Sequence, residues 1–502
     1  MKRRWFNFRP LCIIFMFLLL GTLFAFYVGV HMVWSIVILV ITAFISLTVA
    51  ILKKRVSYFV LPMICLVIGL SAYKISVANF NKRVDEAPSI ISARIYQTSA
   101  IEDGRMTVYA DSVKFDGKKA NTNLVIYIYD DSNIFENIEI GNVIECEPFG
   151  FYKTELFNSE IPNANYFNKN IKYSVLTSNY KYIKTNRTFA EIIKAKIKSN
   201  LGYGLSNENK EIAYSTLFGD KTELNNNIKE AFQLSGIAHI LAVSGLHISI
   251  IVAILYKLLK LCKVKGWARF GVLATILLFY AYICNFSVSV VRASVMSLLL
   301  MLAPLVKKQY DPLSALSLAG IIIFIMDPLC VFDVSFLMSF SCVLGILFIC
   351  KPISIALTKI RLPKSIADII AVCSSTCISL IFIQAYFFGR INFVSIFANL
   401  LLLPMFTVAF EIIFCLAFLS LIVPYITYLL VPINYILNFI SMAAIFISNL
   451  PYANFNTKQF NYLLIVLYFY LLMILGRICT ANKKEKVAIS LPITGLMLAF
   501  IV

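Results

Sequence analysis

The sequence predicts a polytopic α-helical membrane protein with a small exocytoplasmic β-barrel domain, OB-like, inserted near its N-terminus. Three observations predict it. Of 502 residues, 60% are hydrophobic and the mean hydropathy is +0.82, above what soluble globular chains carry. Apolar runs of roughly spanning length recur along almost the whole chain. Between residues 80 and 200 they give way to short alternating segments separated by turn residues.

Taken in order, Lys2, Arg3 and Arg4 precede an apolar run at 11–30 that is too long for a signal peptide and lacks a small-x-small cleavage site. It is read as a first span with its N-terminus in the cytoplasm. The run at 33–52 returns to Lys53, Lys54 and Arg55, which the positive-inside bias also places in the cytoplasm. The run at 58–77 then delivers the chain outside. Segments 92–96, 106–115 and 124–129 alternate at period two and are rich in β-formers. About five such strands in this stretch suggest a small barrel, with an OB-fold leading. Tyr96, Tyr109, Tyr127 and Tyr129 offer faces on which unpaired bases can stack, and Tyr127 and Tyr129 are the candidate DNA contacts. The competing role is to fill the barrel or its rim. Residues 80–165 hold 8 basic and 14 acidic groups, a balance that favours packing, because nucleic-acid sites are basic. Residues 166–200 reverse it, with 8 basic and 1 acidic group. There Lys194, Lys196 and Lys198 suit either a headgroup-facing helix or a collar for a polyanion.

The stretch 219–259 is the centre of the chain. Leu224, Ile228, Ala231, Phe232 and Ser235 recur at helical spacing, which makes an amphipathic helix suited to a membrane boundary or a wet cavity. Ser235 and Gly236 form a flexible joint into Ala-His-Ile-Leu-Ala-Val-Ser-Gly-Leu-His-Ile. His239 and His247 lie there with Ser244 and Gly245 between them. Polar groups inside an apolar run are costly in lipid and should face protein or water. Ser206 is the expected N-cap of the helix before this stretch. After it, runs at 247–261, 271–284, 288–306, 313–326, 334–349, 366–388, 393–421, 425–447, 462–479 and 487–502 bring the total to about thirteen spans. The excess of 45 basic over 26 acidic residues falls mostly in loops that this topology places in the cytoplasm. The domains are then 1–79, N-terminal helices; 80–200, β-domain and basic connector; and 201–502, the main helical bundle.

Polar residues inside the apolar runs limit the chemistry. Arg292 lies within a helix, either facing a water-filled lumen or snorkelling to headgroups. Glu411 is a lone acid available to Arg292 or Arg390. Asn399 and Gln384 suit interhelical hydrogen bonds, and Asp327 and Asp333 suit helix caps. Cys373 and Cys377 are one turn apart and read as packing residues. His239 and His247 are eight residues apart without an H-E-x-x-H pattern, and His31 is remote, so neither a metal nor another cofactor is expected. Ser244 lies in a serine-glycine context resembling that of rhomboid proteases, but no histidine from a second helix is available to it. No catalytic residue is therefore expected.

These residues together resemble the ComEC competence family of DNA-uptake membrane channels. The resemblance is carried by the run from Gly219-Asp220-Lys221-Thr222 to Ser244-Gly245-Leu246-His247-Ile248. Arg292 with Ala293, Ser335 to Phe340, and Ala398-Asn399-Leu400 through Pro404 also carry it, and Asn163 to Asn168 match loosely. It implies passage of single-stranded DNA across the cytoplasmic membrane in natural transformation. Asp220, Lys221, His239, Ser244, Gly245, His247, Arg292 and Asn399 become the channel residues. It also implies, as partners, membrane lipid, a separate DNA receptor, a nuclease and a cytoplasmic helicase-like ATPase. Many members carry a C-terminal metallo-β-lactamase-like domain. No H-x-H-x-D-H run is present here, so a short form is expected, with strand degradation and driving force supplied by other proteins. The alternatives are a transporter or export channel for another anionic solute, and an intramembrane hydrolase centred on Ser244.

Overall fold

The computed structural model describes residues 9–30, 57–81, 87–102, 104–129, 135, 138–155, 166–167, 169–392, 394–450, 454–457 and 468. The apolar runs at 33–52 and 487–502, His31 and the first lysine and arginines lie outside these residues, as does the run at 462–479 apart from Tyr468.

Among the described residues, the helices before the β-domain are α1 (Pro10–Val30) and α2 (Ser57–Asn81). The β-domain follows, as β1 (Ile91–Glu102), β2 (Arg105–Phe115), β3 (Lys118–Lys119), β4 (Asn123–Tyr129), β5 (Asn142–Glu147), β6 (Gly150–Lys153), β7 (Ile171–Thr177) and β8 (Asn179–Thr185). The expected alternation holds: Ile171, Tyr173, Val175 and Thr177 of β7 are buried while their neighbours are partly open. The sheet runs β6-β7-β4-β2-β1-β5-β8, antiparallel except for the parallel pair β4 and β7. This hydrogen-bonded path has two ends, so the closed barrel predicted from the strand pattern is not formed by it. A β-domain is present; closure is not.

The helical part contains α3 (Phe189–Leu201), α4 (Asn207–Phe218), α5 (Asn226–Leu234), α6 (Gly245–Leu261), α7 (Gly266–Ile283), α8 (Val288–Leu305) and α9 (Pro312–Met326). It continues with α10 (Val334–Gly345), α11 (Lys351–Lys359), α12 (Lys364–Phe388), α13 (Ser395–Leu419) and α14 (Val431–Ser448), with a short pair of strands, β9 (Arg390–Asn392) and β10 (Asn454–Asn456). Local chemistry sets several ends. The Ser206 side chain accepts from the Asn209 backbone at the start of α4. That of Asp333 accepts from Ser335 and Phe336 at the start of α10.

Among the described residues, seven helices are long and apolar enough to cross a membrane, and Pro10–Phe26 and Pro312–Met326 are shorter apolar helices. The chain is a multi-pass membrane protein. Among the described residues not every apolar run gives a long helix: α6 has 17 residues and carries two lysines, and α9 has only 15.

The helices pack around two apolar cores. One takes side chains from α3 to α8, α13 and α14, the other from α1, α2, α8, α9, α10 and α12. Helix α8 belongs to both. Val290 and Ala293 point into the first core and Val291 into the second.

Candidate functional site

The central stretch does not run as one unbroken helix. In α5 the expected stripe is buried at Ile228, Ala231 and Phe232, so this face packs on protein. The joint that follows is a fixed turn: Gly236 has φ +79°, and a Cβ there would collide with Ser395 of α13. Only glycine fits. The Asn392 side chain donates to the Gln233 carbonyl at 2.7 Å and holds the same turn. The chain then makes one 3-10 turn, Ala238–Leu241, before α6 begins at Gly245.

Ser244 and His247 together cap α6. The Ser244 backbone N–H donates to Nδ1 of His247 at 2.9 Å, and the Ser244 hydroxyl lies 3.3 Å from the same nitrogen. Because Nδ1 accepts from the backbone, the ring proton resides on Nε2. The ring is 1% exposed and packs against Phe410 and Phe406 of α13, with centroids 4.2 and 5.6 Å away. Nδ1 is thus engaged as a helix-cap acceptor, and no carboxylate contacts the ring among the described residues, an arrangement unlike the base of a hydrolytic pair. The S-x-x-H spacing is a capping box with histidine in the place usually held by glutamate or glutamine.

Arg292 lies beside this cap. It is 6% exposed, and its guanidinium donates to the Ser339 carbonyl of α10. A Cβ on Gly245 would come within 2.6 Å of Arg292 Nη2, so the missing side chain at 245 makes room for the cation. Arg292 thus reaches from α8 to α6 in one core and to α10 in the other. Its Nε has no hydrogen-bond partner among the described residues, nor have the Ser294 hydroxyl and the Asn399 side-chain oxygen. Glu411 does not pair with it: that carboxylate is on an exposed position of α13 and makes no ion pair among the described residues. Asn399 donates to the Ser395 carbonyl of its own helix rather than across helices. The native thiol of Cys377 on α12 sits 3.3 Å from the Ser395 hydroxyl on α13, a contact between helices of different cores.

The remaining predicted residues lie nearby or apart. Asp220 closes its own loop by accepting from the Thr222 amide and hydroxyl at 3.1 and 2.8 Å. That loop rests against Val243 through Gly219. Lys221 is half-buried, and His239 is exposed and close enough to Lys221 to feel its charge. Tyr127 and Tyr129 belong to the β-domain and join neither histidine. The Arg105 guanidinium stacks 5.1 Å over Tyr127, and Tyr127, Lys153 and Tyr166 line a shallow recess. Tyr129 pairs with exposed Phe149 at 6.0 Å. Ser339 lies in the Ser335–Phe340 segment that the sequence marks, but its contact with Arg292 is not legible there, and nothing in the sequence marks Phe406 or Phe410, whose partner His247 lies far along the chain. Nor does the sequence foresee the lysine roles: Lys198 is spent on Glu211 and Glu223 and Lys196 on the Leu421 carbonyl, leaving Lys194 of that trio.

The sequence pattern of the family described as "Competence protein" matches residues 216–481, from the end of α4 onward. The chain belongs to the competence protein family. Within the matched region lie His239, Ser244, Gly245, His247, Arg292 and Asn399. The chain is 23% identical over 383 residues to ComE operon protein 3 of Bacillus subtilis, covering 74% of this chain and 46% of that protein. It is 29% identical over 131 residues to Recombination protein 2 of Haemophilus influenzae, covering 24% and 16%. An uncharacterized protein of Aquifex aeolicus is 30% identical over 141 residues, covering 28% and 33%. The chain thus spans less than half the length of each of these curated relatives. No solved structure matches it.

Proposed function

We propose that this chain forms the passage by which single-stranded DNA crosses the cytoplasmic membrane, without itself cleaving the strand. The observation that carries this reading is Arg292, a cation buried where two helical cores meet and lacking a carboxylate partner among the described residues. A buried cation without an anion is costly, and a phosphodiester backbone is an anion able to offset that cost. In this reading the described arrangement is closed, with His247 and Arg292 packed against protein, and passage requires the two cores to part along α8. Asp220, Lys221 and His239 border the approach to that line, and Asn399 flanks it.

The β-domain is the receiving surface, on the exocytoplasmic side with residues 80–200. Only Pro148 and Phe149 separate β5 from β6, and β5 pairs with β1 while β6 pairs with β7. If 142–153 acts as one bent strand, it closes an OB-like barrel. Tyr127 and Tyr129 then supply stacking faces. A separate receptor, a nuclease and a helicase-like ATPase complete the system. Uptake of labelled DNA by a deletion strain, with and without the gene restored, tests the proposal. The expected result is label held at the surface and absent from the cytoplasm. Undiminished internal label would instead assign the passage to another anionic solute.

A further inference from the structure

Between the β-domain and the helical bundle three lysines gather from three separate parts of the chain. Lys169 precedes β7, is exposed, donates to the Gln97 side chain of β1 at 3.1 Å and lies 4.8 Å over the Tyr109 ring of β2. Gln97 is one short step along β1 from Arg94, whose guanidinium grips Asp111 of β2 and Glu191 of α3 at 2.5 and 3.1 Å. Glu191 is one helical turn from Lys194. The Lys194 ammonium reaches over the Phe218 ring at 5.9 Å, and Phe218 leads through Gly219 into Asp220 and Lys221. The three cations therefore border one junction, where the sheet, α3 and the 219–221 loop meet. The loop in turn rests on Val243, next to Ser244.

Two features separate these lysines from ordinary surface ones. Their ammonium groups have no carboxylate within ion-pair distance among the described residues, unlike Lys198 and Lys210 close by. Partial burial also lowers the pKa of Lys194 and Lys221 from the usual lysine value, with Asp220 and Glu191 partly offsetting this at Lys194 and Lys229 adding to it at Lys221. Asp220 acts on both Lys169 and Lys194 and is already engaged by Thr222, while Glu191, which also acts on Lys194, is held by Arg94. A junction with surplus positive charge and low-dielectric walls attracts an extended polyanion more strongly than scattered surface charges do.

We propose that Lys169, Lys194 and Lys221 form a phosphodiester-binding collar that passes a single strand from the β-domain to the stretch ending at Ser244. The assignment rests on the passage reading above and adds to it a binding site and the part of the ligand recognised, the backbone phosphates. The test uses the full chain in lipid nanodiscs and a fluorescent twenty-nucleotide oligodeoxythymidylate, with affinity measured by anisotropy across a salt series. Replacing each of Lys169, Lys194 and Lys221 by Gln should flatten the slope of log affinity against log salt by about 0.7, the contribution of one phosphate contact on a single strand. Replacement by Arg should restore the slope, which separates lost charge from lost folding. Lys181→Gln and Lys184→Gln, on exposed β8, should leave it unchanged. If the collar and β8 variants alter the slope equally, or neither does while the unsubstituted chain binds, the collar is wrong and the passage reading stands. If the unsubstituted chain fails to bind the oligonucleotide at any salt, both fall.

Discussion

Gly245 and Arg292 show how far one methyl group can matter. The space that a side chain at 245 would fill is held by a guanidinium nitrogen 2.6 Å from the Cβ position, and packed interiors yield little. Gly245→Ala should destabilise the protein by about 1–3 kcal/mol, the usual cost of overpacking, read as a lower melting temperature in detergent. Adding Arg292→Ala should recover part of that loss, because contacting residues do not add. His247 makes a different prediction. Its Nδ1 accepts the Ser244 amide, so His247→Ala should cost about 0.5–2 kcal/mol for the lost cap. Glutamine can accept the same hydrogen bond, and His247→Gln should therefore recover most of that stability in the same melting experiment. If His247→Gln melts as low as His247→Ala, packing on Phe406 and Phe410 matters more than the cap. The sequence marks both residues as polar within an apolar run. It does not show which distant atoms they meet.

At the scale of elements, Arg94 is the tie between the sheet and the bundle. It holds Asp111 on β2 and Glu191 on α3, both pairs largely shielded. Glu191 also accepts from the Thr188 amide at 2.7 Å, completing the capping box of α3. Arg94→Met should weaken the anchoring of α3 by about 1.5–3 kcal/mol, the range for hydrogen bonds to charged groups. Hydrogen exchange should then speed up by roughly ten- to a hundred-fold in the first turn of α3 and in β1, since each ~1.4 kcal/mol is a factor of ten. Glu191→Gln keeps the cap and loses the charge, so its effect should be smaller. Unchanged exchange in both variants would mean that apolar contacts alone hold the sheet in place. The helix α3 and its basic character are legible from Phe189-Ala190-Glu191 through Lys198. The separate duties of its three lysines are not, because they depend on where Glu211, Glu223 and Leu421 come to rest.

For the whole molecule, the two cores and their shared helix give the passage reading a mechanical form. Cys377 on α12 and Ser395 on α13 join helices of different cores at 3.3 Å, within reach of a disulfide after a single substitution. Ser395→Cys should allow oxidation to pin the cores together, cutting DNA uptake at least ten-fold, with reductant restoring it. Normal uptake by a chain shown by mass spectrometry to be cross-linked would remove core separation from the mechanism. The sequence by itself determined what depends on near neighbours. It determined the apolar runs, the period-two strands of the β-domain, the caps at Ser206 and Asp333, and the signature stretch that marks the family. Tertiary structure alone decided which runs become long helices, how the sheet path ends, and that Arg292 bridges two cores. Those outcomes rest on pairs such as Arg292 with Ser339 and His247 with Phe410. Residues so far apart in the chain meet only when folding brings their helices together, and no local pattern records which will meet.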